Sequence, residues 1–240
     1  MFEKIEKFQV LTVGIIASLA LVCCAKVVSS SLSNNVISVT GSAYEIVKSD
    51  SGSLNFTIQV KRANKQDAYA AAQSQIKTVE EYLKSKGIKD YELKASNGYN
   101  TYKNDPKTGY STNVIEGYNL SQPISIKSDN VELIKDIAVD IQSLISKNID
   151  ISVDVPSYDY SKLPQLKVSL LEKASKDAKN RAASMLKATH NGVGKIQSVR
   201  MGVYQITPVN STDVSDMGIN DSSSIDKKVT AVANISFKIK

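Results

Sequence analysis

The chain has 240 residues, 42% of them hydrophobic, with 30 basic and 24 acidic side chains and a net charge of +6. That length allows one or two domains, and that apolar content supplies a core, which excludes wholesale disorder. The lysines are interspersed with acids and no basic block carries interleaved aromatics, which excludes a nucleic-acid footprint, while the mild positive balance leaves room for anionic partners.

Residues 8–25 carry no charge between Lys7 and Lys26. As a helix this run spans about 27 Å, close to the hydrocarbon thickness of a bilayer, about 30 Å. Val27 and Val28 extend it if the Lys26 stem snorkels to the interface. The pattern predicts a transmembrane signal anchor over residues 8–28, a cytosolic N-terminus at 1–7 and a Ser/Asn-rich tether at 29–35. Lys4, Lys7 and the amino terminus outweigh Lys26, so the positive-inside rule puts residues 36–240 outside the cytosol, on the periplasmic or extracellular face. Three fates stay open. The length of the run and the lack of an A-x-A exit favour retention as an anchor; a cleaved signal peptide and a lipoprotein signal are the others. Val22 before Cys23 suits the lipoprotein reading poorly. Both cysteines, Cys23 and Cys24, lie in this segment, so the remainder must be stable without disulfides.

After the tether, residues 36–47 read as a strand, and Ser49-Asp50-Ser51-Gly52 as turn chemistry. Leu54, Phe56, Ile58 and Val60 alternate with polar residues, which predicts a half-buried strand. The period then becomes helical. Asn64 is a cap with Asp67 in the first turn, and Ala68, Ala72, Ile76, Val79 and Leu83 form one stripe that Gly87 ends. Two long strands are expected at 91–102 and 112–126, joined by turn material at 103–109. A second helix is expected from Ser128 or Asp129, with Glu132 placed for a capping box and a stripe of Val131, Ile134, Ala138, Ile141 and Ile145. A strand over 149–155 follows. The third helix begins at Leu163-Pro164, with a stripe of Leu163, Leu166, Leu170, Ala174, Ala178, Ala182 and Met185. A strand at 195–206, a solvated loop at 208–227 and a strand at 229–239 close the pattern. The fold class is α+β: a largely antiparallel sheet with helices on one face, containing a β-α-β-β-α-β (ferredoxin-like) unit plus an added α-β-β.

The inventory of reactive groups is short. The single histidine, His190, sits at a predicted helix end, where a cation complements the dipole. One histidine and no cysteine in residues 36–240 argue against zinc. Asp150 and Asp154, four apart on a predicted strand, share a face and read as solvent-facing alternation rather than a pair of acids. Asp213, Asp216, Asp221 and Asp226 lack EF-hand spacing. No phosphate-binding, dinucleotide or nucleophile-elbow motif is present. No cofactor and no catalytic residue is expected. Tyr99, Tyr102 and Tyr110, on a hairpin expected to project, are candidates for an interface or ligand surface.

Two stretches point to a family. Ile37-Ser38-Val39-Thr40-Gly41-Ser42-Ala43, with Ser49-Asp50 after it, resembles the V-T-G-x-A strand and S-D turn that open the SIMPL domain of bacterial envelope proteins. Ala174-Ser175-Lys176-Asp177-Ala178-Lys179-Asn180-Arg181-Ala182, with Gly192-Val193-Gly194 beyond it, resembles that domain's A-x-x-D-A-x-x-R/K-A helix and following glycine pair. Val229 to Ile235 fits its closing strand. The chain departs from the pattern in having no Trp and in placing Thr189-His190-Asn191 where a glycine-containing turn is usual. The resemblance implies an envelope location, a tendency to form homo-oligomers and a link to stress tolerance; it supplies no catalytic residues. The expected function is therefore a non-enzymatic, self-associating envelope domain. A binding module for an anionic or sugar-containing envelope ligand is the first alternative; the second is a hydrolase using Ser or carboxylates at an unrecognised site, to be credited only if Asp150 or His190 lines a cleft.

Overall fold

The computed structural model describes the backbone of residues 2–32 and 35–240, and the side chains of residues 12–26, 28 and 35–240. In chain order the elements are α1 (Phe2–Leu32), β1 (Val36–Lys48), β2 (Ser51–Arg62), α2 (Lys65–Ser85), β3 (Tyr91–Leu93), β4 (Asn97–Asn104) and β5 (Ser111–Ser128). Then come α3 (Val131–Asp140), a 3₁₀ turn (Ile141–Lys147), β6 (Asp150–Val153), β7 (Ser157–Asp159), α4 (Leu163–Lys187), β8 (Val193–Met201), β9 (Gln205–Pro208), β10 (Ile219–Asn220) and β11 (Asp226–Ile239). The class is α+β, as expected.

α1 is a single helix through the apolar run, and its described large side chains, from Val13 to Val28, are exposed. Among the described residues no helix is long and apolar enough to cross a membrane. The expected span at 8–28 lies partly outside them, since the side chains of residues 8–11 and 27 are not described.

The chain divides into two compact units. The larger comprises Ser42–Ala174 and Gly202–Val232. Its main sheet has β5 at the centre beside β2; β3 and β4 pair with the other edge of β5, and β6 and β7 with the other edge of β2. Every pairing in this sheet is antiparallel. This is the strand order of a split β-α-β-β-α-β unit. Leu54, Phe56, Ile58 and Val60 point inward from β2, each at most 2% exposed. They share one core with the full α2 stripe and with Val131, Ile134 and Ile137 of α3. In α2 the Asn64 carboxamide accepts a hydrogen bond from the Asp67 amide at 2.9 Å, the cap read from the sequence.

Other expectations are corrected. One strand over 91–102 becomes β3 and β4: the Lys94 amide still donates to the Pro123 carbonyl, but Pro123 has no N–H to return, the Lys94 carbonyl accepts from Gln122 Nε2 instead, and pairing resumes one residue out of register at Asn97. The cap of α3 is Asn130, whose side chain accepts from Leu133 N at 3.2 Å, so no capping box forms at Ser128 or Asp129. α3 tightens into the 3₁₀ turn at Ile141, and this moves the buried stripe. Ile137 and Leu144 are buried; Ala138 is only half-buried and Ile145 is exposed. The strand over 149–155 ends at Val153, and Val155, expected to face inward, is 77% exposed.

β1 and β2 do not pair, although only Ser49 and Asp50 separate them. The turn is claimed by more distant partners. Ser49 N donates to the Ile225 carbonyl and Asp50 N to that of Asp159. The Asp50 carboxylate accepts from Ser161 N and Ser161 Oγ at 2.8 and 2.7 Å. β2 is thereby sent into a different sheet from β1, and the single sheet read from the sequence becomes two. Still in the larger unit, β9 pairs antiparallel with residues 227–230 of β11 and parallel with β10. The strand expected over 195–206 is broken at 202–204 into β8 and β9, where Gly202 N bonds the Val232 carbonyl.

The smaller unit comprises Met1–Gly41, Ser175–Met201 and Ala233–Lys240. β8 runs antiparallel to the second half of β11, and β1 pairs with β11 as well. Val39, Ile235 and Phe237 are buried, as are Ala178, Ala182 and Leu186 of α4. Leu186 takes the place expected for Met185, which is 59% exposed.

Candidate interaction surface

The two-stranded arm of β4 and β5 is built around small residues at its base. At Gly98 the Tyr118 hydroxyl occupies the space a Cβ would need, and at Gly117 a Cβ would lie 2.7 Å from the Arg62 carbonyl oxygen. The ammonium of Lys65 sits 5.4 Å from the Tyr118 ring centroid. Tyr99 lies opposite Asn119, and its hydroxyl accepts from Asn119 Nδ2 at 2.9 Å. Beyond Gly117 the register slips on both sides of Tyr102, which faces Ile115. Asp105 closes the tip: its amide donates to the Tyr110 carbonyl at 2.8 Å, and its carbonyl accepts from Gly109 N at 2.7 Å. Its carboxylate accepts from Lys107 N at 2.7 Å, and Gly109 supplies the positive φ of 73° that the turn requires.

Residues 113–116 are exposed without alternation, so this ribbon is open on both faces. Tyr102, Val114 and Ile115 are 46%, 56% and 54% exposed, and Tyr110 at the tip is 78% exposed. An apolar two-stranded ribbon is only marginally stable alone in water. Of the three tyrosines singled out from the sequence, Tyr102 and Tyr110 belong to this outer part. Tyr99 stands nearer the base with its hydroxyl engaged.

The remaining ionisable candidates are dispersed. His190 is exposed with φ 56°, in the turn that ends α4. Asp150 pairs with Gln59 in the ladder, and Asp154, just past the end of β6, donates its amide to the Asn55 carbonyl; both side chains are exposed. Among the described residues no three His, Cys, Asp or Glu side chains converge on a metal position. The segment expected as a solvated loop is ordered by side chains. Gln205 donates through Nε2 to the Ser215 carbonyl and accepts from Ser215 N. Lys227, 4% exposed, donates to the Asp221 carbonyl at 2.6 Å. Burial pushes the Lys227 amine down; Asp221 is also partly buried, yet hydrogen bonds from Ser224 and Ser223 hold its carboxyl below the usual range. The most strongly displaced group is Tyr82, raised by burial and by its hydrogen bond to Asp140, which also pairs with Lys86 at 2.6 Å. That trio bridges α2 and α3 and lies outside the apolar cleft described below.

One concavity was not legible in the sequence. An open cleft of about 840 Å³ is lined by Val139, Val155, Val209 and Ile225, with Asp154 and Asp226 among its polar residues. Its signal was hidden because Val155 counted as an inward residue of a strand that stops short of it.

The family model described as SIMPL, protein of unknown function (DUF541), matches residues 37–237. The chain belongs to the SIMPL family. The match begins within the strand that carries Thr40-Gly41-Ser42 and ends within β11, so both stretches that suggested it lie inside the SIMPL region. Among curated proteins no relative matches this SIMPL chain.

Proposed function

We propose that this SIMPL chain is a non-catalytic domain, held at the outer face of a membrane by α1, that self-associates through the outer part of the β4–β5 arm. The observation that carries the reading is the exposure of Tyr102, Tyr110, Val114 and Ile115 on a ribbon open on both faces. Such residues are typical interface anchors, because rigid aromatic side chains bury large area at low entropic cost. The exposure of His190, Asp150 and Asp154, none of them enclosed with a second reactive group, supports a non-catalytic role. The exposed apolar side chains along α1 support the anchor.

Sedimentation of the full chain in neutral detergent tests it. The expected result is a reversible oligomer that dissociates at lower concentration. Replacing Tyr102, Tyr110 and Ile115 together by Ser should weaken association by about a thousandfold, at roughly tenfold per lost anchor. A strict monomer at high micromolar concentration would sink the proposal. So would an oligomer indifferent to the triple change.

A further inference from the structure

In the smaller unit, three neighbouring strands carry two matching rows of polar side chains. β11 lies between β1 and β8, with Asn234 opposite Arg200 and Ser236 opposite Ser198. Ser38 Oγ meets Ser236 Oγ at 2.8 Å, and Thr40 Oγ1 donates to Asn234 Oδ1 at 2.6 Å. One row is therefore Ser38, Ser236 and Ser198, and the other Thr40, Asn234 and Arg200. Val39 and Ile235, which alternate with them, are buried, so the rows share the opposite face. They line a shallow trough of about 350 Å³.

The trough has a particular donor set. No carboxylate lines it. Among the described residues the Arg200 guanidinium has no hydrogen bond or ion pair, although salt bridges engage basic side chains elsewhere in the chain. Asn234, which lines the trough, has its Oδ1 occupied by Thr40, while its Nδ2 donors engage no described group. The Ser198 hydroxyl lies beside them in the adjacent row. A guanidinium fork, an amide NH₂ and a hydroxyl, spread over two strands about 5 Å apart, present several donors to one small anion. We infer that this trough is a phosphate-binding site, taking one phosphate group with Arg200 as its principal ligand. Arg supplies a planar fork matched to two phosphate oxygens, and such charge-assisted bonds are about twice as strong as neutral ones.

The phosphate can be free or carried on a lipid headgroup. If α1 is the proposed anchor, Ser38 lies six residues beyond Leu32, a reach of about 20 Å at full extension. Headgroups then come within range, and only this choice of source rests on the anchor reading.

The test uses the full chain, ¹⁵N-labelled, in neutral-detergent micelles at constant ionic strength. One arm titrates sodium phosphate; the other adds phosphatidylglycerol, with phosphatidylcholine as control. Saturable shifts of Arg200 Nε–H and the Asn234 side-chain amide are expected, with Arg200→Gln weakening the response at least about tenfold. Arg200→Lys should retain part of it, since a point charge lacks the fork. Response to phosphate assigns the free anion, and response to phosphatidylglycerol alone assigns the headgroup; either supports the site. No saturable shift in either arm, or an Arg200→Gln response equal to wild type, overturns it. Arg200 is exposed and bonds no described group, so its replacement should leave the rest of the spectrum intact. The triple Ser variant of the arm should bind phosphate normally, which separates failure of this site from failure of self-association.

Discussion

At Gly98 and Gly117 the same substitution should have different consequences. A Cβ at Gly98 meets the far end of the Tyr118 side chain, which can swing aside; at Gly117 it meets the backbone oxygen of Arg62 at 2.7 Å. Gly117→Ala should therefore cost about 1–3 kcal/mol, the range for overpacking, and Gly98→Ala less. Urea unfolding of the two variants gives the order, and a larger loss for Gly98→Ala would contradict this account. Asp50 makes a second prediction. The hydrogen bonds from Ser161 hold its carboxyl below the usual carboxylate value. A folded value below the unfolded one, about 3.9, means the stabilisation is full above about pH 4 and is lost as pH falls through the folded value. Asp50→Asn should thus lower the thermal midpoint at neutral pH, and the gap to wild type should shrink at acid pH. A gap constant with pH would refute the assignment. The Ser49–Gly52 turn was legible as turn chemistry. Its partner was not, because Ser161 lies 111 residues away and nothing local encodes that pairing.

At the scale of elements, legibility followed regularity. α2 was read in full, cap and stripe, because a long helix with one period leaves a single solution. Asn64→Ala should cost about 1 kcal/mol through the lost bond to Asp67 N, read by chemical denaturation, whereas an Asp there should be nearly neutral. α3 was read as a helix with Ile141 rightly inside, but Ile137 and Leu144 were missed and Ile145 was misplaced. A 3₁₀ continuation turns the chain by three residues per turn, so Leu144 replaces Ile145 inside. The strands were found but their ends were not. β3 and β4 read as one strand, as did β8 and β9, because what separates them is a one-residue change of register against β5 and β11, partners remote in sequence. The arm was expected to project, and its tyrosines were named. That Val114 and Ile115 join them was hidden, since a strand open on both faces looks the same in sequence as one buried on both.

Across the whole molecule, the proposed self-association would tie stability to concentration. Binding partners that favour the folded state raise its unfolding midpoint by mass action. The full chain in detergent should therefore melt at higher temperature as its concentration increases, and the triple Ser variant of the arm should lose that dependence. The expectation of a single sheet failed at this scale, since only distant partners tell which strands share a sheet. The division into units has a further consequence, for the order in which the polypeptide is made. The smaller unit draws on residues up to 41, on 175–201 and on 233 onward, so the chain passes between units four times. β8 has its antiparallel partner only when residues 233–239 exist. The main sheet of the larger unit, by contrast, is complete once residue 159 has emerged. During synthesis the two therefore mature in sequence: once that sheet is complete, the strand bearing Thr40 still waits through about eighty further residues before its neighbour β11 is complete.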